Sequence, residues 1–357
     1  MKKIIALFTA AAMTLSFTGC GGGTSGETGT GGTASAGETL NLFVWTEYVP
    51  QSVIDDFTKE TGIKVNVSTY SSNEDMLAKV KAESEGAFDI IQPSDYMVEQ
   101  CINQGIVQEI DLSKIPNFSN IAESYKKPSY DPEGKYSVPY LGGLGGIAVN
   151  KKRITDEITS YADLFKPDYA GQLVVLDDFR PVIGIASESL GYDLNETDPK
   201  KLADVKEQVM KLKNNIKLYD SDSPKSALIA GECNLGFCWS AEIALANAEN
   251  PDIEIVFPDE GAFLFLDNWC ITSGSKNIEA AHKFIDYMCR PEVMQKVLEE
   301  FPYLCPNKAA VELMGEEYTS NPAKNPPAEV IEKGNYNTNL DNDTIAIYDE
   351  IWTELKK

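Results

Sequence analysis

From residue 40 onwards, short apolar segments alternate with segments whose apolar side chains recur at helical spacing. This alternation limits the possible folds more than any other feature. LNLFVW (40–45) precedes QSVIDDFTKETG (51–62), and two more strand-and-helix pairs follow up to Gly105. Helices that connect successive strands in this way predict a parallel sheet with helices on both faces. The sequence therefore predicts the α/β class.

The segment YSVPYLGGLGGIAVN (136–150) interrupts the alternation, because it is strand-like throughout but contains four glycines. A second α/β set starts at QLVVLDD (172–178), and GAFLFLDNWCIT (261–272) reads as another long strand. Two α/β lobes joined by two crossing strands predict a cleft, with ligands at the carboxyl ends of strands. The predicted N-terminal lobe comprises residues 39–144 and 267–311, and the C-terminal lobe comprises residues 145–266 and 312–357.

The N-terminal segment MKKIIALFTAAAMTLSFTGC has the pattern of an export signal, with two lysines before an apolar run too short to cross a bilayer. Its last four residues, FTGC, resemble a bacterial lipobox, which implies cleavage after residues 1–19 and lipid attachment to Cys20. An ordinary signal peptide with an incidental thiol is the alternative. Residues 20–38 are small and polar, which predicts a flexible tether.

The formal net charge of −24 makes nucleic acid and anionic lipid poor partners and would attract a cationic ligand. Six further cysteines show neither CxxC spacing nor a cluster with histidine, so we predict no metal site and no cofactor. The sequence leaves open whether these cysteines form disulfides or stay free. They are Cys101, Cys233, Cys238, Cys270, Cys289 and Cys305.

The predicted strands end in acidic or aromatic residues with unusual regularity. This combination suits an elongated aliphatic polyamine, because each ammonium that leaves water needs a carboxylate and aromatic faces can stack on the methylenes. For any single residue, helix capping or core packing is the alternative interpretation. The strand ends carry Trp45 to Tyr48, Ser94 to Tyr96, Asp177 and Asp178, Ser221 and Asp222, Trp239 with Glu242, and Phe265 with Asp267.

Two other classes of protein deserve comparison with a polyamine binder. An extracellular hydrolase could use paired carboxylates, but the only histidine, His282, lies on a predicted helix as a surface or capping residue. The sequence also contains no HExxH, triad or phosphate-binding glycine motif. A binding protein for another solute is the second alternative, although an anion would require basic residues and a sugar would not require so many carboxylates.

Several segments resemble the spermidine/putrescine-binding proteins of bacterial ABC importers, over a similarity that runs from about residue 40 to the C-terminus. They are WTEYVP, FDIIQPSDYMV, YSVPYLGGLGGIAVNK, GECNLGFCWS and LDNWCI. The resemblance implies a two-lobed periplasmic-binding-protein fold of type II that closes on its ligand, with no enzymatic activity. It also implies a monomer outside the cytoplasm whose partners are a membrane permease and its ATPase.

Carried over by position, the resemblance assigns three kinds of contact to the ligand. The implied aromatic walls are Trp45, Tyr48, Trp239 and Phe265. The implied polar contacts are Thr46, Glu47, Ser94, Tyr96, Ser221, Tyr303 and Asn337. The implied charge partners are Asp178 and Asp267, with Glu242 as a further candidate.

The sequence departs from the spermidine-binding pattern at a few of these positions. Pro181 stands where spermidine binders usually carry a glutamate, Phe265 replaces tryptophan, and Asn337 replaces a longer amide. Glu242 occupies a position where putrescine binders carry an aspartate. These differences predict a preference for the shorter diamine, while Arg180 could neutralise the neighbouring Asp178.

Overall fold

A computed structural model of the chain describes residues 38–357. The predicted signal peptide, Cys20 and all but the last residue of the predicted tether lie outside the described residues. Within 38–357, none of the helices has the length and apolar character needed to cross a membrane. All six cysteines of this part of the chain are buried and free.

Ten strands, thirteen α-helices and five short 3-10 helices form the described part of the chain. The strands are β1 (Thr39–Trp45), β2 (Lys64–Tyr70), β3 (Ile90–Ile91), β4 (Val138–Asn150), β5 (Leu173–Val175), β6 (Ile216–Tyr219), β7 (Leu235–Trp239), β8 (Ile253–Val256), β9 (Phe263–Ile271) and β10 (Asn335–Tyr336). The helices are α1 (Gln51–Thr61), α2 (Asn73–Ala82), α3 (Asp95–Asn103), α4 (Phe179–Glu188), α5 (Pro199–Leu212), α6 (Lys225–Ile229), α7 (Ser240–Glu249), α8 (Ile278–Met288), α9 (Pro291–Glu300), α10 (Lys308–Met314), α11 (Glu316–Thr319), α12 (Ala328–Lys333) and α13 (Asn342–Lys356).

The strands form one continuous sheet in the order β2-β1-β3-β9-β4-β7-β5-β6, with β10 beside β9 and β8 beside β4. Strands β1 to β3 pair in parallel, and so do β5 to β7. The long strands β4 and β9 pair antiparallel with each other and with their neighbours in both groups. Each lobe therefore has the predicted parallel sheet, and the two crossing strands join the lobes.

Two separate hydrophobic cores lie on the two sides of this junction. The first surrounds Phe57, Trp269 and Phe284, where α1 and α8 pack on the sheet. The second includes Phe237 and Tyr348, between the sheet and helices that include α13. The partly buried rings of Trp239 and Phe265 pack against both cores. The predicted lobe boundary at residues 311 and 312 falls inside α10.

Strand β4 is buried over its whole length, and its glycines allow large side chains to lie directly against the backbone. Gly145 pairs with Phe263 of β9 on one side and with Trp239 of β7 on the other. A Cβ atom at Gly145 would lie 2.7 Å from two atoms of the Phe237 ring. Glycine at this position therefore lets the crossing strand approach the core of the second lobe.

Replacing Gly145 with alanine should lower the free energy of unfolding by about 1–3 kcal/mol, because the new methyl group would overlap the buried ring of Phe237. Urea unfolding of Gly145→Ala against the parent protein measures this loss. In a Phe237→Leu background the ring atoms are gone, so the penalty of the alanine should become smaller. An equal penalty in both backgrounds would show that the ring is not its cause.

Candidate functional site

A cavity that opens to solvent lies at the junction of the two lobes. Thirteen of the fourteen residues predicted to contact a ligand line it, and Glu242 is the exception. The lining residues are Trp45, Thr46, Glu47, Tyr48, Ser71, Asn73, Ser94, Asp95, Tyr96, Asp178, Ser221, Asp222, Trp239, Phe263, Leu264, Phe265, Asp267, Tyr303 and Asn337.

The fold brings these residues together because parallel strands deliver their carboxyl ends to one edge of a sheet. The last residue of β1 and the loop after it supply Trp45 to Tyr48, and the N-cap positions of α3 and α4 supply Ser94 and Asp178. The crossing strand β9 supplies Phe265 and Asp267 from its middle. Asp178 caps α4 by accepting a hydrogen bond from the Arg180 backbone N–H at 3.0 Å. The same residue also lines the cavity.

Asp267 is a buried carboxylate that two hydroxyl groups hold in place. Ser94 Oγ donates to its Oδ1 at 2.6 Å, and Tyr48 Oη donates to its Oδ2 at 2.8 Å. Burial raises the pKa of Asp267 to about 7, although both hydroxyls stabilise the ionised form. The side-chain amide of Asn73 donates to Ser94 Oγ at 3.0 Å and thereby fixes this arrangement.

A continuous series of aromatic rings runs along the cavity beside Asp267. The ring centroids of Tyr48 and Tyr303 are 5.3 Å apart, those of Tyr303 and Phe265 are 5.9 Å apart, and those of Phe265 and Trp239 are 5.0 Å apart. All three contacts are edge-to-face, which is a favourable geometry for aromatic pairs. The cavity therefore combines an apolar wall with carboxylates.

The guanidinium of Arg180 does not form an ion pair with Asp178 in the described structure. It lies 4.7 Å from the ring centroid of Tyr96, and its Nη1 is 3.8 Å from Oε1 of Glu74. Burial is the main reason that the pKa of Asp178 rises to about 7, and the nearby Glu74 carboxylate raises it further. Arg180 lowers this pKa, but its effect is weaker. The positive charge of Arg180 is thus directed mainly to Glu74, and Asp178 stays available to a ligand.

Glu242 lies outside the cavity wall because another side chain holds its carboxylate. Lys225 Nζ donates to both of its oxygens, at 3.0 and 2.8 Å, and Glu242 is only 3% exposed. Pro181, the third residue of α4, also lies outside the cavity wall. Neither residue, therefore, presents a carboxylate to the cavity.

Six residues of the cavity wall were absent from the predicted set. They are Ser71, Asn73, Asp95, Asp222, Phe263 and Leu264. Asp95 and Asp222 were among the acidic strand ends of the sequence, but the resemblance assigned neither of them a ligand contact. Both oxygens of Asp95 accept backbone hydrogen bonds, from Tyr96 N at 2.7 Å and Leu266 N at 3.1 Å. Burial nevertheless raises its pKa to about 8.

His282 is buried, whereas the sequence predicted a surface or capping position. Its Nε2 accepts a hydrogen bond from the Asp111 backbone N–H at 3.0 Å, and its Nδ1 lies 2.7 Å from the Ile278 carbonyl oxygen. The ring therefore connects two backbone segments, and none of these residues belongs to the cavity wall. Among residues 38–357, no three His, Cys, Asp or Glu side chains are close enough together to hold a metal ion.

The free protein should lose stability as pH rises from about 4 to 7, partly because of Asp267. In the unfolded chain this carboxyl group ionises near its ordinary value, but in the folded protein it stays protonated up to about pH 7. Its contribution is therefore complete at low pH and disappears as the pH rises through the folded pKa. Urea unfolding at several pH values should show a shallower decline for Asp267→Asn than for the parent. The exposed Asp349→Asn serves as a matched control for the loss of one acidic side chain, and equal slopes for Asp267→Asn and the parent would contradict the assignment.

Comparison with known proteins identifies the family. The family model described as bacterial extracellular solute-binding protein matches residues 52–327. The spermidine/putrescine-binding periplasmic protein of Salmonella typhimurium is 40% identical over 324 residues, which cover 90% of this chain and 93% of that protein.

Two solved structures extend the comparison to the fold. The spermidine/putrescine ABC transporter substrate-binding protein PotD from Streptococcus pneumoniae has a TM-score of 0.74 at 31% identity, covering 89% of this chain and 98% of that one. The lipoprotein Tp0655 (TpPotD) of Treponema pallidum has a TM-score of 0.77 at 30% identity, covering 89% and 99%. The predicted two-lobed fold of type II is confirmed, and the hydrolase alternative does not agree with a family of binding proteins. This chain belongs to the bacterial extracellular solute-binding proteins.

Proposed function

We propose that the protein captures a linear polyamine between its two lobes, with putrescine preferred over spermidine, and delivers it to an ABC importer. The arrangement of two buried carboxylates, Asp178 and Asp267, along an aromatic wall is the observation that carries this proposal. The names of the relatives support the same class of ligand.

Asp267 is well suited to bind one ammonium group of the ligand. A carboxylate offers about four lone-pair sites, and Ser94 and Tyr48 each donate one hydrogen bond to it. The remaining sites are open to a cation, whose loss of hydration a buried carboxylate can offset. The Ser221 hydroxyl oxygen, which is buried in the cavity wall without a hydrogen-bond partner, provides a further acceptor.

The aromatic wall complements the carbon chain of such a ligand. Faces of Trp239, Phe265 and Tyr303 exclude water from the methylene groups, and a cation near a ring gains roughly 0.5–2 kcal/mol. Carboxylates alone would hold any small cation, whereas the rings favour one with an aliphatic spacer. The two features together select an amine with separated charges.

Contacts between the lobes indicate how a ligand favours the closed form. Arg180 of α4 reaches across to Glu74 and to the Tyr96 ring on the other side of the cavity. A ligand that touches Asp267 on the crossing strand and Asp178 on the second lobe adds further bridges that exist only when the cavity is closed. Its greater affinity for the closed form therefore shifts the population toward that form.

The preference for a diamine follows from the number of acidic side chains in and near the cavity that remain available to a ligand. Asp178 and Asp267 match the two ammonium groups of putrescine, while backbone N–H groups occupy both oxygens of Asp95. No carboxylate is available at Pro181, and Lys225 holds Glu242. A triamine thus gains less from its additional charge.

Isothermal titration calorimetry with putrescine, cadaverine, spermidine and spermine tests the proposal directly. We expect saturable binding of the amines, tightest for putrescine, and recovery of the ligand unchanged. Binding of a sugar or an amino acid in place of any amine would overturn the proposal. Clearly tighter binding of spermidine would overturn only the preference.

Putrescine affinity should rise between pH 5 and about pH 7, because the cation binds the ionised forms of Asp178 and Asp267 and must displace their protons. Titrations in two buffers with different ionisation enthalpies should reveal proton release, and Asp267→Asn should reduce it. That substitution should also weaken binding by on the order of 2–5 kcal/mol, while Asp349→Asn has no effect. A loss below tenfold would contradict the charge-partner role of Asp267.

The proposal also places the monomeric protein outside the cytoplasm, attached to the membrane by lipid on Cys20 near its permease and ATPase. The Treponema pallidum relative is named a lipoprotein, which supports the anchor. The Cys20→Ser variant should appear in the soluble extracytoplasmic fraction and incorporate no labelled fatty acid, unlike the parent. Membrane retention with label in the variant would contradict this role, and unchanged polyamine binding by the variant is the control for folding.

A further inference from the structure

The side chain of Lys225 places an ammonium group of the protein itself at the edge of the cavity. Lys225 is the first residue of α6, in the segment that follows Ser221 and Asp222 of the cavity wall. Its Nζ contacts both oxygens of Glu242 and lies 3.5 Å from Oε2 of Glu47. The Lys225 ammonium thus contacts two carboxylates, and one of them, that of Glu47, belongs to the cavity wall.

The two carboxylates differ in how strongly they require a cation. The Glu242 side chain is 4% exposed, so it depends on its partner, whereas the Glu47 side chain is 50% exposed and water screens its charge. Glu47 also has φ of +48°, a conformation that residues with a Cβ atom rarely adopt. The surrounding structure therefore holds Glu47 in an unfavoured backbone conformation beside Lys225.

We infer that Lys225 is a specificity-determining residue: its tethered ammonium occupies Glu242 and Glu47 and withholds both carboxylates from a third amine of a longer polyamine. This inference rests on the proposed function, because it concerns the selectivity of the same cavity. To reach either carboxylate, a ligand amine must displace the Lys225 ammonium, which is part of the protein and already contacts both of them. Asp222 remains near this edge, but it is exposed, so water weakens its attraction for an amine.

Replacing the lysine with an uncharged residue of similar length tests this role. Lys225→Met should raise the affinity for spermidine relative to putrescine at least tenfold, because Glu242 then needs another cation. Lys225→Arg keeps the charge and should change the ratio less than threefold. In Lys225→Met with Glu242→Gln the buried carboxylate is absent, and only the half-exposed Glu47, whose charge water screens, is freed. The ratio should therefore return to within threefold of the parent.

The outcomes separate this inference from the proposed function. A folded Lys225→Met variant that binds amines with the parental ratio would overturn the role of Lys225 and leave the proposed function intact. If the parent bound no amine, the proposed function would fail, and this inference with it. Circular dichroism and the thermal midpoint establish whether each variant is folded.

A second measurement uses the parent protein, in case Lys225→Met does not fold with Glu242 unpaired. Acetylation of spermidine at either end removes one terminal ammonium. If one amine of spermidine lacks a carboxylate partner in the parent, then N1-acetylspermidine or N8-acetylspermidine should bind within threefold of spermidine. Because Lys225 lies at the edge of the cavity, the amine that it excludes is a terminal one. More than tenfold weaker binding of both isomers would show that both terminal amines are paired and would overturn the inference.

Discussion

The antiparallel pairing of β4 with β9 is the interaction on which the rest of this structure depends. Strand β9 also pairs with β3 of the first lobe, and β4 also pairs with β7 of the second lobe. Their hydrogen bonds turn two parallel sheets into one continuous sheet and place Phe265 and Asp267 at the junction. Because both residues sit on a paired, buried strand, their positions are fixed by the sheet rather than by a loop.

Burial of acidic groups around this junction opposes the stability of the free protein. Desolvation raises the pKa of Asp95, Asp178 and Asp267, so each of these groups resists ionisation near neutral pH. A cationic ligand reverses this cost, since it supplies the charge that the buried carboxylates lack. Stability and affinity are thus linked through the same protonation equilibria.

Two of the chain's own cations limit how many acids the cavity offers. Arg180 pairs with Glu74 and stacks on Tyr96, while Lys225 pairs with Glu242. An acidic cavity lacking these cations would attract amines with little regard to their number of charges. Internal pairing leaves a smaller set of acids for the ligand, and under the proposed function this smaller set is the basis for selection among chemically similar amines.

Much of the fold was predictable from local patterns. Helical periodicity and Gly62 as a stop predicted α1, and the glycine-containing apolar stretch predicted the crossing strand β4. The resemblance to known binding proteins named thirteen of the nineteen residues of the cavity wall, since the strand ends that carry them can be matched by position. The pattern was less informative for β3, which is only two residues long, and for His282, whose burial depends on α8 packing against the segment at Asp111.

By itself, the sequence determined the order of strands and helices, the two lobes and the acidic, aromatic character of the strand ends. These properties arise from side-chain periodicity and from the edge at which parallel strands end. Only the tertiary structure decided which acids are free, because pairing depends on contacts between residues far apart in the chain. Thus Arg180, adjacent to Asp178 in sequence, directs its charge to Glu74, and Glu242, expected at the ligand, is held by Lys225.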